Sequence, residues 1–199
     1  MAIVTWWNEA LEALSGEAYF LEARRRTAGQ GLVACENLFN TYVRAVCGQQ
    51  VNTAVAEKMA QSVFRYAGDK GDNAADALAG SSVDALRNLG LSQTKAGALV
   101  AIAQKYVEGS FTAPALEALD DAAVRARLTG VKGVGPWTAD MVLIFGLNRP
   151  DVWAQTDFGL RKALEKTGLG AKDPHLWASW RTAATWLLWQ SLTATPVQY

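Results

Sequence analysis

Two features of this chain have residue types and spacing that could do chemistry. The stretch "LTGVKGVGPWTAD", Leu128–Asp140, gathers Gly130, Gly133, Gly135 and Pro136 just ahead of a helical Trp-Thr-Ala. Glycine lets a ligand approach the backbone closely. Proline fits the first helical position, where its missing N–H costs nothing. The N–H groups of Gly133, Gly135 and the following turn would then point outward together, as a nest for an anion. Gly130 is expected to cap the preceding helix in the left-handed region. Val134 is expected to point into the core, and Trp137, Met141 and Ile144 to share one helical face. A plain tight turn would suffice for a bare Gly-x-Gly; the longer pattern, with apolar residues at set places, favours a turn that holds something. The second feature is Asp157, twenty-two residues beyond Gly135 and directly before a helical run that closes at Gly168. The N-terminal amides of a helix favour a negative charge at such a position. Taken alone, an aspartate there is sufficiently explained as an N-cap.

The elements that must carry these features read as helices. In "NLFNTYVRAVCGQQ", Leu38, Tyr42, Val43 and Val46 fall on one face. "NTAVAEKMAQSVFRYAG" starts at a cap on Asn52 or Thr53 and stops at Gly68. Ser82 and Ser92 open further helices that stop at Gly90 and Gly109, and "LDDAAVRARLTG" forms a short helix before the glycine turn. "PWTADMVLIFG", "TDFGLRKALEKTG" and "DPHLWASWRTAATWLLWQSL" follow it. The pattern predicts eight to ten short helices, with no strand pair and no repeat. The linker-like stretch "YAGDKGDNAADALAG" is expected to mark a handover between lobes.

Composition sets bounds. The chain has 199 residues, half of them apolar, enough for one domain or two small lobes with a real core. The net charge is zero, which counts mildly against a nucleic-acid partner, although affinity depends on where charges sit. With Cys35 and Cys47 alone, a four-cysteine iron–sulfur or zinc site is excluded, and His175 as the sole histidine excludes a His-rich metal site. His175 is expected at the surface or as a capping residue. The N-terminus lacks the pattern of a signal peptide, and no run reaches about 18 apolar residues, so an intracellular protein without a membrane span is expected.

The pattern L-x-G-V-x-G-V-G-P-W-T-A resembles the helix–hairpin–helix DNA-binding motif. Followed at this distance by V-x-x-x-x-D, Val152–Asp157, it resembles the helix–hairpin–helix–Gly/Pro–Asp superfamily of DNA glycosylases, and within it the 3-methyladenine DNA glycosylase II, or alkylated-base, branch. The residues that carry the resemblance are "YVRAVCGQQV" (Tyr42–Val51), "GVGPWTA" (Gly133–Ala139), "DVWAQTDFGLRK" (Asp151–Lys162) and "WASWRTAATWLLW" (Trp177–Trp189).

The resemblance implies an all-α, compact two-lobed fold with an active-site cleft between the lobes. The whole chain, 1–199, would be one glycosylase domain, with residues 30–115 as a middle lobe and residues 1–29 plus 116–199 as the lobe holding the hairpin. It implies Asp157 as the catalytic carboxylate, Trp137, Met141 and Trp189 as the base pocket, and Gln49 and Gln50 as the wedge that fills the gap left by an extruded base. Gly133, Gly135, Thr138 and Lys132 would meet phosphate. The backbone carbonyls of Thr129, Val131 and Val134 would hold a structural sodium or potassium ion, with no other cofactor and no iron–sulfur cluster. The family's lyase lysine falls at Trp137, which implies a monofunctional hydrolase of base excision repair, acting as a monomer on duplex DNA with 3-methyladenine- or 7-methylguanine-type damage. A cationic damaged base would be held against tryptophan by cation–π and stacking forces. Of the eight tryptophans, Trp177, Trp180 and Trp186 are expected in the core, and Trp6 and Trp7 in either a helix staple or the pocket wall.

The chain departs from the family in three places. It is too short for the extra N-terminal β-rich domain of some members, Lys132 stands where proline is frequent, and Met141 replaces a pocket tyrosine. Two alternatives rank lower: a mismatch- or adenine-type glycosylase without its cluster, and a non-catalytic helix–hairpin–helix DNA-binding module.

Overall fold

The structure is a computed structural model that describes residues 2–27, 29–68 and 73–193. The described residues are all-α, as expected, and the only extended pairing among them is an isolated antiparallel bridge between Ile3 and Val33. In chain order the helices are α1 (Trp7–Ala13), α2 (Ala18–Thr27), α3 (Leu38–Gly48), α4 (Thr53–Gly68), α5 (Ala74–Ala79) and α6 (Val83–Arg87). They continue with α7 (Gln93–Val107), α8 (Ala113–Glu117), α9 (Asp121–Thr129), α10 (Pro136–Met141), α11 (Phe158–Thr167) and α12 (Arg181–Trp189). Side-chain caps start many of them. Asn37, Asn73, Ser82, Ser92, Asp120 and Asp157 each accept a backbone N–H from the first turn they precede.

Some boundaries differ from the sequence expectation. Gly130 is right-handed (φ −64°); the left-handed glycine of the hairpin is Gly133 (φ +91°). After Met141 the backbone widens into a π turn, Val142–Gly146, which shifts the spacing of the apolar face. The segment from Asp173 divides into a short 3₁₀ turn, Pro174–Trp177, and α12, because Ala178 is extended (φ −66°, ψ 139°). The linker-like stretch contains α5, which packs on α7; its residues 69–72 lie outside the described residues.

The chain forms two compact units, residues 1–36 with 143–199 and residues 37–142. These boundaries differ from the expected 30 and 115, and they place the hairpin with the middle segment. The reason is local packing. Gly133 sits against Thr94 and Ala98 of α7, and Gln49 donates to the Gly133 carbonyl, so the hairpin shares the core built by α3 and α7.

In the unit that joins the chain ends, Asn148 is a hub. It adopts a left-handed backbone (φ 50°), its side chain accepts from the Cys35 amide and donates to the Val33 and Ile144 carbonyls, and its carbonyl accepts from Trp6 Nε1. Trp6 also stacks on Trp180, while Trp7 is buried edge-on against Trp186. Both N-terminal tryptophans are therefore packing residues within this unit. Trp177 and Trp186 are buried, and His175 is exposed beside its capping partner Asp173.

The loop that leads to Asp157 is latched to the start of α12. Thr182 Oγ1 donates to the Arg149 carbonyl and accepts from the Val152 amide, and the Thr182 amide donates to the Pro150 carbonyl. Arg181 grips Asp151 with a two-pronged ion pair, both contacts at 2.7 Å. That guanidinium holds the Asp151 carboxyl below its ordinary value, with partial burial opposing. A depressed carboxyl contributes stability above its unfolded value and loses it as pH falls through the folded one. Asp151→Asn is expected to lower Tm by about 2–4 °C at pH 7, as for a pair worth about 1 kcal/mol. The difference from wild type should shrink once pH drops below about 4. Melting curves from pH 7 to pH 3 check this; a gap that persists at pH 3 contradicts it.

Candidate functional site

The hairpin runs from the end of α9 through Gly130–Gly135 into α10. Two glycines in it answer to different constraints. Gly133 is left-handed, and a Cβ there would meet Thr94 Cγ2 at 2.9 Å and the Thr94 carbonyl at 3.0 Å. Its glycine is dictated by backbone conformation and by packing on α7. Gly135 has an ordinary extended backbone (φ −98°, ψ 176°), and nothing lies within 4 Å of where its Cβ would be. Gly135 is thus the glycine that leaves open space over the start of α10. Val134 is buried and its amide donates to the Val131 carbonyl, which closes the turn. Lys132 is exposed at the tip.

Thr138 can meet a phosphate through its backbone alone. Its side chain is 2% exposed and its hydroxyl accepts from Gln49 Nε2 at 2.9 Å, so only its backbone N–H, in the first turn of α10, is left to face a ligand. The same Gln49 amide donates to the Gly133 carbonyl at 2.9 Å. The glutamine pair therefore divides. Gln49 is turned onto the hairpin and fastens it, whereas Gln50 is exposed and held in a left-handed backbone (φ 54°), an uncommon and strained state for a non-glycine residue.

α9 and α10 are braced to each other. Asp140, 5% exposed, accepts from Arg125 Nε at 2.8 Å. Met141 is buried in this unit, and Trp137 is half-buried on the first turn of α10. Thr129 closes α9; the Ala126 and Leu128 carbonyls accept the amides of Gly130 and Val131, and the Thr129 hydroxyl donates to the Arg125 carbonyl. Val131 is buried just beyond it, its carbonyl already accepting one amide.

In the other unit, Asp157 is the N-cap of α11. Its Oδ1 accepts from the Leu160 amide and from Trp189 Nε1, the latter at 2.9 Å. The simple N-cap explanation is therefore correct and incomplete, because an indole N–H from α12 is also aimed at the carboxylate. Trp189 is buried and stacks on Phe145, centroids 5.8 Å apart and planes 10° from parallel. Its contact with Asp157 makes it a holder of the carboxylate. Gly159 permits the arrangement, since a Cβ there would lie 3.1 Å from Asp157 Oδ1.

Three residues escaped the sequence. Phe158 is 72% exposed although it follows a nearly buried Asp157, and nothing in an apolar helical run signals that exposure. Gly159 could have been suspected as a glycine in the first turn of a helix. Lys95, only 8% exposed, donates from Nζ to the Cys47 carbonyl at 2.9 Å. A lysine in "SQTKAGALV" reads as surface, because its partner lies 48 residues away.

The division of labour between the glycines is measurable. Gly133→Ala should cost about 1–3 kcal/mol, through a strained backbone and a Cβ driven against Thr94. Gly135→Ala should leave Tm nearly unchanged. Calorimetry on the pair decides; equal losses refute the assignment.

Among the described residues, no group of three His, Cys, Asp or Glu side chains could hold a metal ion, and no helix is long and apolar enough to cross a membrane. Comparisons with known proteins agree with the geometry. A Bacillus subtilis protein, YfjP, is 27% identical over 179 residues, covering 83% of this chain and 62% of its own length. The DNA-3-methyladenine glycosylase 1 of Schizosaccharomyces pombe is 28% identical over 77% of this chain and 72% of its own. A solved structure of the Schizosaccharomyces pombe 3-methyladenine DNA glycosylase Mag1 in complex with abasic DNA superposes with a TM-score of 0.79, covering 96% of this chain and all of that one at 24% identity, which shows the shared fold. This chain thus spans about three fifths of YfjP. Residues 43–178 match the family described as HhH-GPD superfamily base excision DNA repair protein, and the chain belongs to that superfamily.

Proposed function

We propose that this chain is a monofunctional DNA glycosylase that removes alkylated bases of the 3-methyladenine and 7-methylguanine type from duplex DNA. The observation that carries this is the Asp157 carboxylate, fixed at the start of α11 by the Leu160 amide and the Trp189 indole. The names of the Schizosaccharomyces pombe relatives support the substrate class.

Breaking an N-glycosidic bond builds positive charge on the deoxyribose. A preorganised carboxylate beside C1′ stabilises that oxocarbenium-like state electrostatically. It also orients the water whose oxygen bonds to C1′ as the bond to the base breaks, with the water's proton passing to solvent. A cationic methylated base leaves as a neutral one, so strong acid catalysis is not required. Trp189 and Leu160 keep the carboxylate in one rotamer. Phe158 extends from the same turn and offers an exposed aromatic surface to the extruded nucleotide.

The base must leave the helical stack. Gln50 is the wedge, since its strained backbone presents it to solvent, and Gln49 acts through the hairpin. Gly135, the first-turn amides of α10 and Lys132 take phosphate. Trp137 and Met141 contribute to base recognition. A monovalent cation fits the carbonyls of Thr129, Val131 and Val134, because the negative end of the α9 dipole lies there. Trp137 stands in the place of the lyase lysine, and Lys132, three residues before Gly135, faces phosphate, so the family's Schiff-base position holds no amine and the reaction is hydrolytic. The protein acts inside the cell as a monomer, without an iron–sulfur cluster.

A duplex bearing 3-methyladenine, 7-methylguanine or hypoxanthine should yield an abasic site that breaks only after alkali. Asp157→Asn keeps an acceptor for Leu160 and Trp189 and should lower the single-turnover rate by about 10²–10³. Strand scission without alkali refutes the monofunctional assignment, and full activity of the variant refutes Asp157 as the catalyst.

A further inference from the structure

Beyond the residues that meet DNA, α7 joins the wedge turn to the hairpin. Lys95 lies in the first turn of α7 and is only 8% exposed. Its Nζ donates at 2.9 Å to the carbonyl of Cys47, in the last turn of α3. Terminal carbonyls of a helix have no intrahelical partner, and a cation there also meets the negative end of the helix dipole. Within three residues of Cys47 the chain reaches Gln49, fastened to the Gly133 carbonyl and Thr138, and then the left-handed Gln50. The residue before Lys95, Thr94, forms the seat on which Gly133 rests, together with Ala98 one turn on. One turn of helix thus holds the root of the Gln50 turn through Lys95 and the crest of the hairpin through Thr94.

We infer that Lys95 is a positioning residue for base extrusion: its buried ammonium anchors the end of α3 so that Gln50 is presented at a fixed place relative to the phosphate-binding hairpin. This rests on the glycosylase reading for the role of Gln50, but the anchoring itself does not. A buried ammonium is costly to keep in a core. An apolar side chain would satisfy packing there, yet it would leave the Cys47 carbonyl without its charged donor. What the lysine adds is a hydrogen bond to the backbone that sets the direction in which α3 releases the chain. Phosphate contacts made by the hairpin need no such precision, whereas insertion of Gln50 into a stack does. Loss of Lys95 should therefore separate the two steps.

The test compares Lys95→Met and Lys95→Arg with wild type. In the free protein, hydrogen exchange at the Gln49 and Gln50 amides should quicken by about tenfold in Lys95→Met and return toward wild type in Lys95→Arg, which keeps a charged donor. On DNA, Lys95→Met should lower both single-turnover excision and the fluorescence rise of a 2-aminopurine beside the lesion by about tenfold. Affinity for undamaged duplex should stay within twofold. Should Lys95→Met fail to fold, Lys95→Gln, with a shorter neutral donor, carries the same comparison. Unchanged exchange at Gln49 and Gln50 overturns the anchor. Excision and undamaged-duplex affinity falling in parallel overturn the positioning role and leave a structural one. If wild-type protein releases no base, the glycosylase reading falls, while the exchange data still decide whether Lys95 fixes the turn.

Discussion

The left-handed backbone of Gly133, seated on Thr94 and Ala98, is the constraint on which the hairpin unit depends. A hairpin between two short helices has little apolar surface with which to fix itself. Here it is fixed by close approach: the glycine lets the turn come within van der Waals range of α7, and its carbonyl then faces the Gln49 amide. Gln49 also takes the Thr138 hydroxyl, so one side chain ties the crest of the turn and the first turn of α10 to the end of α3. The Arg125–Asp140 pair joins α9 to α10. With the turn held by these contacts, its amides are preorganised, and little order would remain to be imposed by an anion.

The carboxylate in the other unit is built on similar logic. Asp157 serves helix α11 as an ordinary cap, which fixes its backbone, and Trp189 fixes its side chain. The stacking of Trp189 on Phe145 locks the indole in turn. The approach loop is held separately, through Thr182 and the Asp151–Arg181 pair at the head of α12. Both ends of α12 thus work on the same feature: Arg181 and Thr182 set the path of the chain into Asp157, and Trp189 sets the direction of its carboxylate.

Much of this was legible in the sequence because it is local. Caps at Ser82, Ser92 and Asp157 and the stop at Gly168 are governed by neighbours within four residues, and periodicity finds them. The glycine turn and the aspartate that follows it were recognisable for the same reason. What escaped depends on contacts distant in sequence. The 48-residue span from Cys47 to Lys95 turns an ordinary surface lysine into a buried anchor. The 89 residues between Gln49 and Thr138 hide the hydrogen bond by which one side chain fastens the other. The compact units, 1–36 with 143–199 and 37–142, follow which core the hairpin joins, a long-range contact that no local signal in the sequence reports.

The neutral net charge, which counted mildly against a nucleic-acid partner, loses its weight for a related reason. Net charge treats every ionisable side chain as an independent source of field, and here many are not. Asp140 is buried against Arg125, Asp151 is gripped by Arg181, and Glu57 is paired with Arg44. Each such pair adds zero to the sum and little to the field beyond its own length. Lys95 contributes a full positive charge to the total, although its ammonium is spent on a backbone carbonyl in the interior. What an anion would meet at the hairpin is set by what stands there: exposed Lys132, the positive end of α10, and a carboxylate, Asp140, already occupied by Arg125. A chain can therefore be neutral in sum although Asp140 on α10 is held by Arg125 and Lys132 stands exposed at the hairpin.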